Sequence, residues 1–118
     1  MLIRYFVALM FCLVCSTFAR STEAQEIVGS IPSPGNEPRG LTWDGDYLWC
    51  ADAGTDSVYK LNISDGSVIS CFAFSIQSSH GGITWSDDGN MWIANGSLIY
   101  KVNPADGEVL YNFSCPGG

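Results

Sequence analysis

Residues 40–72 read GLTWDGDYLWCADAGTDSVYKLNISDGSVISCF, and residues 82–113 repeat the same pattern as GITWSDDGNMWIANGSLIYKVNPADGEVLYNF. Ordered matches of this kind indicate an internal repeat, which should be sought before any other feature because it decides the architecture. The matching positions are Thr42-Trp43 with Thr84-Trp85, Trp49 with Trp92, and Tyr59-Lys60 with Tyr100-Lys101, at offsets of 42, 43 and 41 residues.

Each copy of the repeat predicts four short strands separated by turns. Apolar and aromatic residues alternate along the strands, and the turns carry Asp-Gly and Asn-Gly pairs, which favour tight reversals of the chain. No stretch after residue 24 shows a helical period. We expect strands at residues 40–43, 47–51, 57–63 and 67–74 in the first copy, and at residues 82–85, 90–94, 98–102 and 108–113 in the second.

Four strands repeated about every 42 residues are typical of a β-propeller blade. The predicted fold is therefore all-β: a β-propeller fragment with two four-stranded antiparallel blades, blade one at about residues 38–75 and blade two at about residues 80–115. Residues 26–31 (EIVGSI) match residues 67–72 (SVISCF) and 108–113 (EVLYNF), which predicts one extra outer strand. Closed propellers use about 4–8 blades. We therefore expect a truncated part of a longer propeller, the alternative being self-association through open blade faces.

The first 24 residues have the layout of a secretory signal peptide. Arg4 precedes the apolar run at residues 5–18, and small residues follow at two candidate cleavage points, after Ala19 and after Ala24. A membrane span needs about 20 apolar residues, so this run predicts no stable membrane span. We expect residues 25–118 to form the mature chain, in a secreted or periplasmic location.

The charge balance disfavours one class of partner. The chain carries 5 Lys and Arg against 12 Asp and Glu, a formal net charge of −7. An acidic surface without a basic stripe repels a phosphate backbone, so we predict no nucleic-acid binding. The expected partner is a small molecule or a protein, of unknown identity.

The recurring pattern PRGLTWDGDYLWCADAGTDSVYKLNISDG, followed by GGITWSDDGNMWIANGSLIYKVNPADG, resembles the NHL/YVTN-type β-propellers. These include virginiamycin B lyase-like, SMP-30-like and plant-type glutamine cyclotransferase propellers of six or seven blades. The resemblance covers essentially all of residues 25–118, and its motifs are specific for architecture. It implies no single activity, because this fold hosts lyases, lactonases, cyclotransferases and binding modules.

Five polar residues are predicted near the face of the blades where ligands usually bind in such propellers. The resemblance to virginiamycin B lyase-like proteins implies a histidine base acting with a divalent metal, but the single histidine here has no visible partner. The alternative role is turn formation for Asp52, Asp56 and Asn95, and capping of backbone groups for the histidine. We therefore predict no catalytic residue, no metal site and no cofactor. The low-specificity ligand-binding candidates are Arg39, Asp52, Asp56, His80 and Asn95.

Two further patterns have structural interpretations. The acidic pairs Asp44-Gly45-Asp46 and Asp87-Asp88-Gly89 contain carboxylates that calcium can use, but the spacing lacks a calcium-loop pattern and fits hairpin turns. The tryptophans recur in register, which favours packing between blades over sugar binding.

The sequence thus predicts an exported β-propeller repeat module for ligand or protein binding. The alternative is a fragment of a propeller enzyme of the lyase or cyclotransferase type. That alternative requires a cluster of histidines or carboxylates at one channel mouth, mostly supplied by other blades. A third hypothesis is a non-functional remnant or an incompletely assembled coding sequence.

Overall fold

The protein was analysed as a computed structural model, which describes residues 25–76 and 81–116. The predicted signal peptide lies outside these residues. The described chain forms two four-stranded antiparallel sheets, each in simple sequence order. The first sheet contains β1 (Pro38–Trp43), β2 (Leu48–Asp52), β3 (Ser57–Leu61) and β4 (Val68–Ala73), and the second contains β5 (Ile83–Trp85), β6 (Met91–Asn95), β7 (Leu98–Val102) and β8 (Val109–Ser114).

The all-β prediction is confirmed, since residues 25–76 and 81–116 contain strands and turns and no helix. In particular, this part of the chain has no helix long and apolar enough to cross a membrane.

The turns explain why both copies fold alike. Gly66 and Gly107 occupy the same place in the two turns between the third and fourth strands, with φ of 75° and 80°. Glycine adopts such left-handed angles without steric cost, so both chains reverse at the same point. The strand registers also agree, because each sheet has an irregularity at the end of its third strand, at Lys60/Leu61 and at Lys101/Val102.

Each sheet has two faces, because successive side chains along a strand point in opposite directions. We call the face that carries the first tryptophan of each repeat the front face. In the first sheet it contains Leu41, Trp43, Leu48, Cys50 and Leu61, and in the second Ile83, Trp85, Met91, Ile93 and Val102. The opposite, back face contains Thr42, Trp49, Ala51, Val58 and Phe72 in the first sheet and Thr84, Trp92, Ala94, Ile99 and Phe113 in the second.

The core forms where the back face of the first sheet packs on the front face of the second. Trp49 stacks on Trp85 with ring centroids 5.9 Å apart and an interplanar angle of 22°. The backbone N–H of Trp85 donates to Thr42 Oγ1 at 2.8 Å. Val58, Met91, Ile93 and Val102 are fully buried in this cluster. The prediction that tryptophans pack between the sheets therefore holds for this pair.

The predicted extra outer strand is not formed. Residues 26–31 belong to no strand, and Ile27 and Val28 are 86% and 97% exposed. A strand exists only through hydrogen bonds to a neighbour, and in the described chain both sheets already have four strands of their own. The sequence pattern of a strand is therefore present here without a partner to pair with.

Candidate functional site

The predicted ligand-binding residues gather at one end of the two sheets. This end, which we call the loop end, comprises residues 35–39, 52–57, 74–76, 81–82 and 95–97. Here β1 and β5 begin, and the second and third strands of each sheet are joined. Four of the predicted residues, Arg39, Asp52, Asp56 and Asn95, lie at this end, whereas His80 lies outside the described residues.

Asp52 fixes the loop that enters β1. Its side chain is fully buried and accepts hydrogen bonds from the backbone N–H of Glu37 at 3.0 Å and of Thr55 at 2.9 Å. The Thr55 hydroxyl also donates to it, at 3.1 Å. A Cβ added at Gly35 would collide with this carboxylate. Asp52 thus joins two loops that are distant in sequence, and its oxygens face backbone donors.

Asp56 and Asn95 both fasten the connection between the sheets. Asp56 adopts φ of 48°, and its carboxylate accepts a hydrogen bond from the N–H of Ile76 at 3.1 Å. Asn95 Nδ2 donates to the carbonyl of Ser75 at 2.6 Å. These bonds hold the residues just after β4 against both sheets, so the two side chains shape the loop end from within.

Arg39 is the exposed member of the set. Its guanidinium makes an ion pair with Glu37 at 3.4 Å, and the two side chains are 41% and 44% exposed. Among residues 25–76 and 81–116, the other cations, Lys60 and Lys101, lie on β3 and β7 near the opposite end. Arg39 is therefore the described side chain at the loop end best suited to contact an anionic group.

The described residues contain no group of three or more histidine, cysteine, aspartate or glutamate side chains arranged to hold a metal ion. The carboxylates of the hairpin turns bond to their own backbone, as turn chemistry predicts: Asp44 Oδ1 accepts from the N–H of Asp46 at 2.9 Å and of Tyr47 at 2.7 Å.

A cleft between the sheets, at the end opposite the loop end, was not anticipated from the sequence. This intersheet cleft has a volume of about 250 Å³. Trp49 Nε1–H donates to Asp44 Oδ2 at 2.8 Å, and Lys60 Nζ lies 5.5 Å from the centroid of the Trp49 ring. The intersheet cleft is lined by Asp44, Trp49, Lys60, Ser70, Trp85, Pro104 and Ala105.

Neighbouring groups keep the Asp44 carboxylate in the intersheet cleft ionised. Burial raises the pKa of Asp44, but the hydrogen bonds from Trp49, Asp46 and Tyr47 together hold that pKa below its ordinary value. The carboxylate stays ionised, with the Lys60 ammonium acting in the same direction. The sequence contained part of the signal for this arrangement, because tryptophan and lysine recur at equivalent positions in each repeat, whereas Ser86 stands where the first repeat has Asp44.

The second copy of this arrangement lies on the back face of the second sheet. Lys101 forms an ion pair with Asp88, and its Nζ lies 5.5 Å from the centroid of the Trp92 ring. The hydrogen bond from Lys101 holds the pKa of Asp88 well below its usual range. The same three residue types therefore line a covered face in the first sheet and an uncovered face in the second.

No protein-family model and no curated protein matches the sequence. Solved structures do match by fold. Glutaminyl cyclase from Myxococcus xanthus matches with a TM-score of 0.56 and 13% identity, over 65% of this chain and 32% of that protein. Virginiamycin B lyase from Staphylococcus aureus, solved with quinupristin, matches with a TM-score of 0.56 and 21% identity, over 80% of this chain and 33% of the lyase. The two sheets are β-propeller blades.

Hydrazine synthase from Kuenenia stuttgartiensis is a further match, with a TM-score of 0.58 and 19% identity over 78% of this chain and 27% of that protein. The two blades thus span about a third or less of the length of each solved protein. At these identities the likeness shows the propeller fold alone. The fold does not transfer the activities of these proteins to this chain, so a function has to be argued from the residues of this chain.

Proposed function

We propose that this chain is an exported β-propeller repeat module that supplies two blades to a larger ring and binds a ligand or a partner protein at the loop end. The observation that carries the proposal is the relation between the two free faces. The free front face of the first sheet and the free back face of the second repeat the two sides of the interface that joins the sheets.

The exposed residues on the free faces support continuation on both sides. Leu41 and Trp43 are 60% and 45% exposed, whereas Ile83, which is equivalent to Leu41, is 9% exposed in the interface. On the other free face, Phe113 is 39% exposed, whereas the equivalent Phe72 is 6% exposed. Contiguous exposed apolar residues mark interaction surfaces. Leu41 and Phe113 are thus exposed where their counterparts are buried, whereas Cys50 and Leu61 of the same front face as Leu41 are only 2% exposed.

The loop end supports the binding part of the proposal. Asp52, Asp56 and Asn95 hold its loops through hydrogen bonds to backbone groups, which fixes their shape before any ligand arrives. A preformed site loses less conformational entropy when it binds. Arg39 offers an exposed cation at the rim of these loops. We therefore infer a ligand with an anionic group.

Binding at the loop end can be tested with a library of small carboxylates and phosphates, screened by NMR on the ¹⁵N-labelled chain. The expected result is a shift of the amide signals of Glu37, Thr55 and Ile76 that disappears in Arg39→Ala and persists in Lys101→Ala. Shifts confined to the intersheet cleft, or no shifts with any compound, would contradict binding at the loop end.

The same samples discriminate the enzymatic alternative. A propeller enzyme of the lyase or cyclotransferase type needs a convergent set of acid, base or metal-binding groups. Titration with Mg²⁺, Mn²⁺ and Zn²⁺ tests for such a set. Tight binding of one metal that alters the same loop-end amides would favour the enzymatic alternative over the binding module.

Export is a separate part of the proposal and rests on the sequence of residues 1–24. The expected cleavage follows Ala24. Mass spectrometry of the protein recovered from the medium or periplasm of an expressing cell should show a chain that begins at Gln25. Recovery of only the uncleaved chain from the cytoplasm would contradict export.

A further inference from the structure

Lys60, the cation of the intersheet cleft, has no carboxylate partner. In the part of the chain that the structure describes, the other two cations each have one, since Arg39 pairs with Glu37 and Lys101 with Asp88. The Lys60 ammonium makes no ion pair and donates no hydrogen bond within these residues. An ammonium carries three hydrogen-bond donors, so those of Lys60 are free to meet a ligand.

The turn between the first two strands of each sheet decides which lysine is paired. In the first repeat, Asp44 accepts three N–H groups of its own hairpin and makes no ion pair with Lys60. In the second repeat, Ser86 stands in the place of Asp44 and the turn is one residue longer. Asp88, which lies in this longer turn, pairs with Lys101. The free charge of Lys60 is therefore a property of its own repeat.

Two aromatic rings position the Lys60 ammonium without giving it an oxygen acceptor. Its Nζ lies 4.3 Å from the centroid of the Tyr47 ring and 5.5 Å from that of the Trp49 ring. Such contacts attract the charge to the face of the ring and leave the need for an acceptor unmet. Ser70 lies directly opposite Lys60 on β4 and is exposed, so its hydroxyl is a second donor on the same face.

The second sheet contributes an apolar wall to the intersheet cleft. Trp85 and Pro104 are half-buried there, and Ala105 is exposed. The Trp85 ring is held by its stacking on Trp49, so a flat surface exists before any ligand arrives. Aromatic groups pack on such a surface in offset or edge-on geometry. The volume of about 250 Å³ leaves room for one ring with a short polar arm.

We propose that the intersheet cleft is a second binding site, which takes a small monocarboxylate carrying one flat apolar ring. The Lys60 ammonium and the Ser70 hydroxyl donate to the carboxylate, and the ring packs against Trp85 and Pro104. This site goes beyond the proposed function, because it lies at the opposite end of the sheets from the loop end. Both of its walls belong to the described chain, so it needs no further blade.

Asp44 limits the ligand to a single negative charge. Its carboxylate is held ionised by its three N–H donors, and it lines the same cleft as Lys60. Lys60 is the one cation among the described residues that line the cleft. A second carboxylate on the ligand therefore meets a like charge without a cation to offset it. The cleft should prefer a monocarboxylate to a dicarboxylate with the same ring.

The test titrates phenylacetate into the ¹⁵N-labelled chain and follows the indole N–H signals by NMR. Trp49 and Trp85 line the cleft, whereas Trp43 and Trp92 lie on the two free faces and serve as internal controls. The Trp49 and Trp85 signals should shift with a dissociation constant of about 1 mM, an ordinary affinity for a ligand of about ten heavy atoms. The Trp43 and Trp92 signals should stay in place.

Related ligands separate the two parts of the site. Phenylacetamide keeps the ring and loses the charge, so it should bind at least about 10-fold more weakly than phenylacetate, as for the loss of a hydrogen bond to a charged group. Acetate keeps the charge and loses the ring, and it should also bind at least about 10-fold more weakly. Phenylsuccinate, which carries two carboxylates, should bind more weakly than phenylacetate because of Asp44.

Three variants assign the residues. Lys60→Met keeps the apolar stem and removes the ammonium, so it should weaken phenylacetate at least about 10-fold and leave phenylacetamide unchanged. The matched control Lys101→Met removes the equivalent lysine outside the cleft and should bind phenylacetate as the parent chain does. Ala105→Trp places a large ring in the cleft from an exposed turn and should abolish the indole shifts with both ligands.

Several outcomes overturn the inference. Equal binding of phenylacetate and phenylacetamide by the parent chain does so even if Lys60→Met fails to fold, because the ammonium then contributes nothing. Equal losses of both ligands in a folded Lys60→Met chain also do so, since shape rather than charge is then recognised. Shifts of the Thr55 and Ile76 amides without indole shifts overturn this site and leave binding at the loop end standing. No shift up to about 20 mM, some 20 times the expected dissociation constant, overturns the site as well.

Discussion

Gly40, in β1, and Gly82, immediately before β5, are equivalent positions of the repeat, yet they have opposite surroundings. A Cβ added at Gly40 would collide with the carbonyl oxygen of Gly81 and lie 3.0 Å from the backbone N of Ile83. A Cβ added at Gly82 would have nothing within 4 Å. Neither glycine has a left-handed φ, so the two substitutions differ only in what the methyl group meets.

Gly40→Ala should therefore destabilise the protein strongly. Overpacking costs about 1–3 kcal/mol where side chains can shift, and the atoms that oppose this methyl group are backbone atoms of Gly81 and Ile83. We expect a loss of about 3 kcal/mol in the free energy of unfolding. With a urea m-value near 1 kcal/mol/M for a domain of this size, the midpoint should fall by about 3 M, or the chain should be unfolded without urea.

Gly82→Ala is the matched control. Alanine in an extended strand reduces the entropy of the unfolded chain, so stability should stay equal or rise by about 0.4–1 kcal/mol. Urea denaturation of the three proteins, followed by circular dichroism and tryptophan fluorescence, gives the comparison. Equal losses in both variants would refute the reasoning, because they would mean that Gly82 is also covered and that the back face of the second sheet is not free.

Three further outcomes follow from the described contacts. Asp52→Ala should lower the free energy of unfolding by about 3 kcal/mol, because it leaves two backbone donors and a hydroxyl without their acceptor. Hydrogen exchange should also accelerate at the Thr55 amide, a change that a loss of packing elsewhere would not produce. Phe72→Ala should cost about 3–5 kcal/mol, whereas Phe113→Ala should cost about 1 kcal/mol or less, since the two rings are 6% and 39% exposed; equal costs in thermal denaturation would contradict the assignment of covered and free back faces. The pKa of Asp44 lies below its ordinary value of 3.8. The ionised carboxylate should therefore stabilise the fold fully above about pH 5, and this contribution should be lost as the pH falls through the folded-state pKa. Unfolding midpoints measured from pH 7 to pH 2.5 should fall less steeply in Asp44→Asn than in the parent chain.

The repeat allowed most of the fold to be predicted because strand and turn signals agree at every step. The turn residues at Gly66 and Gly107 have the left-handed φ that their glycine identity predicts, and the alternation of apolar residues defines both faces of each sheet. The predicted third strand of the first sheet extended to residue 63, whereas β3 ends at Leu61. The difference arises because Asn62 starts the turn, with its side chain accepting from the N–H of Ser64.

The sequence alone could not predict whether residues 26–31 pair with a strand, or what the side chains of the candidate site bind. A strand pattern predicts the capacity to pair, but pairing depends on a neighbour that local sequence does not specify. Likewise, aspartate and asparagine in a turn can bind a ligand or their own backbone with the same chemistry. For Asp52 the choice depends on burial and on the approach of Gly35 and Glu37, which are 15 or more residues away along the chain.

The intersheet cleft also shows why such a site cannot be located from the sequence of one repeat alone. Trp49 and Trp92 are equivalent in sequence, and each lies beside the phenylalanine of its own outermost strand, at 6.3 Å and 6.0 Å. Trp49 has in addition Trp85 of the following sheet against its ring. The difference between the two positions is the presence of a following blade, and no residue within the repeat encodes it. A cleft of this kind therefore forms only where one blade is followed by another. On this reasoning, Asp88, Trp92 and Lys101 are the residues around which a second such cleft would form once a blade covers the back face of the second sheet.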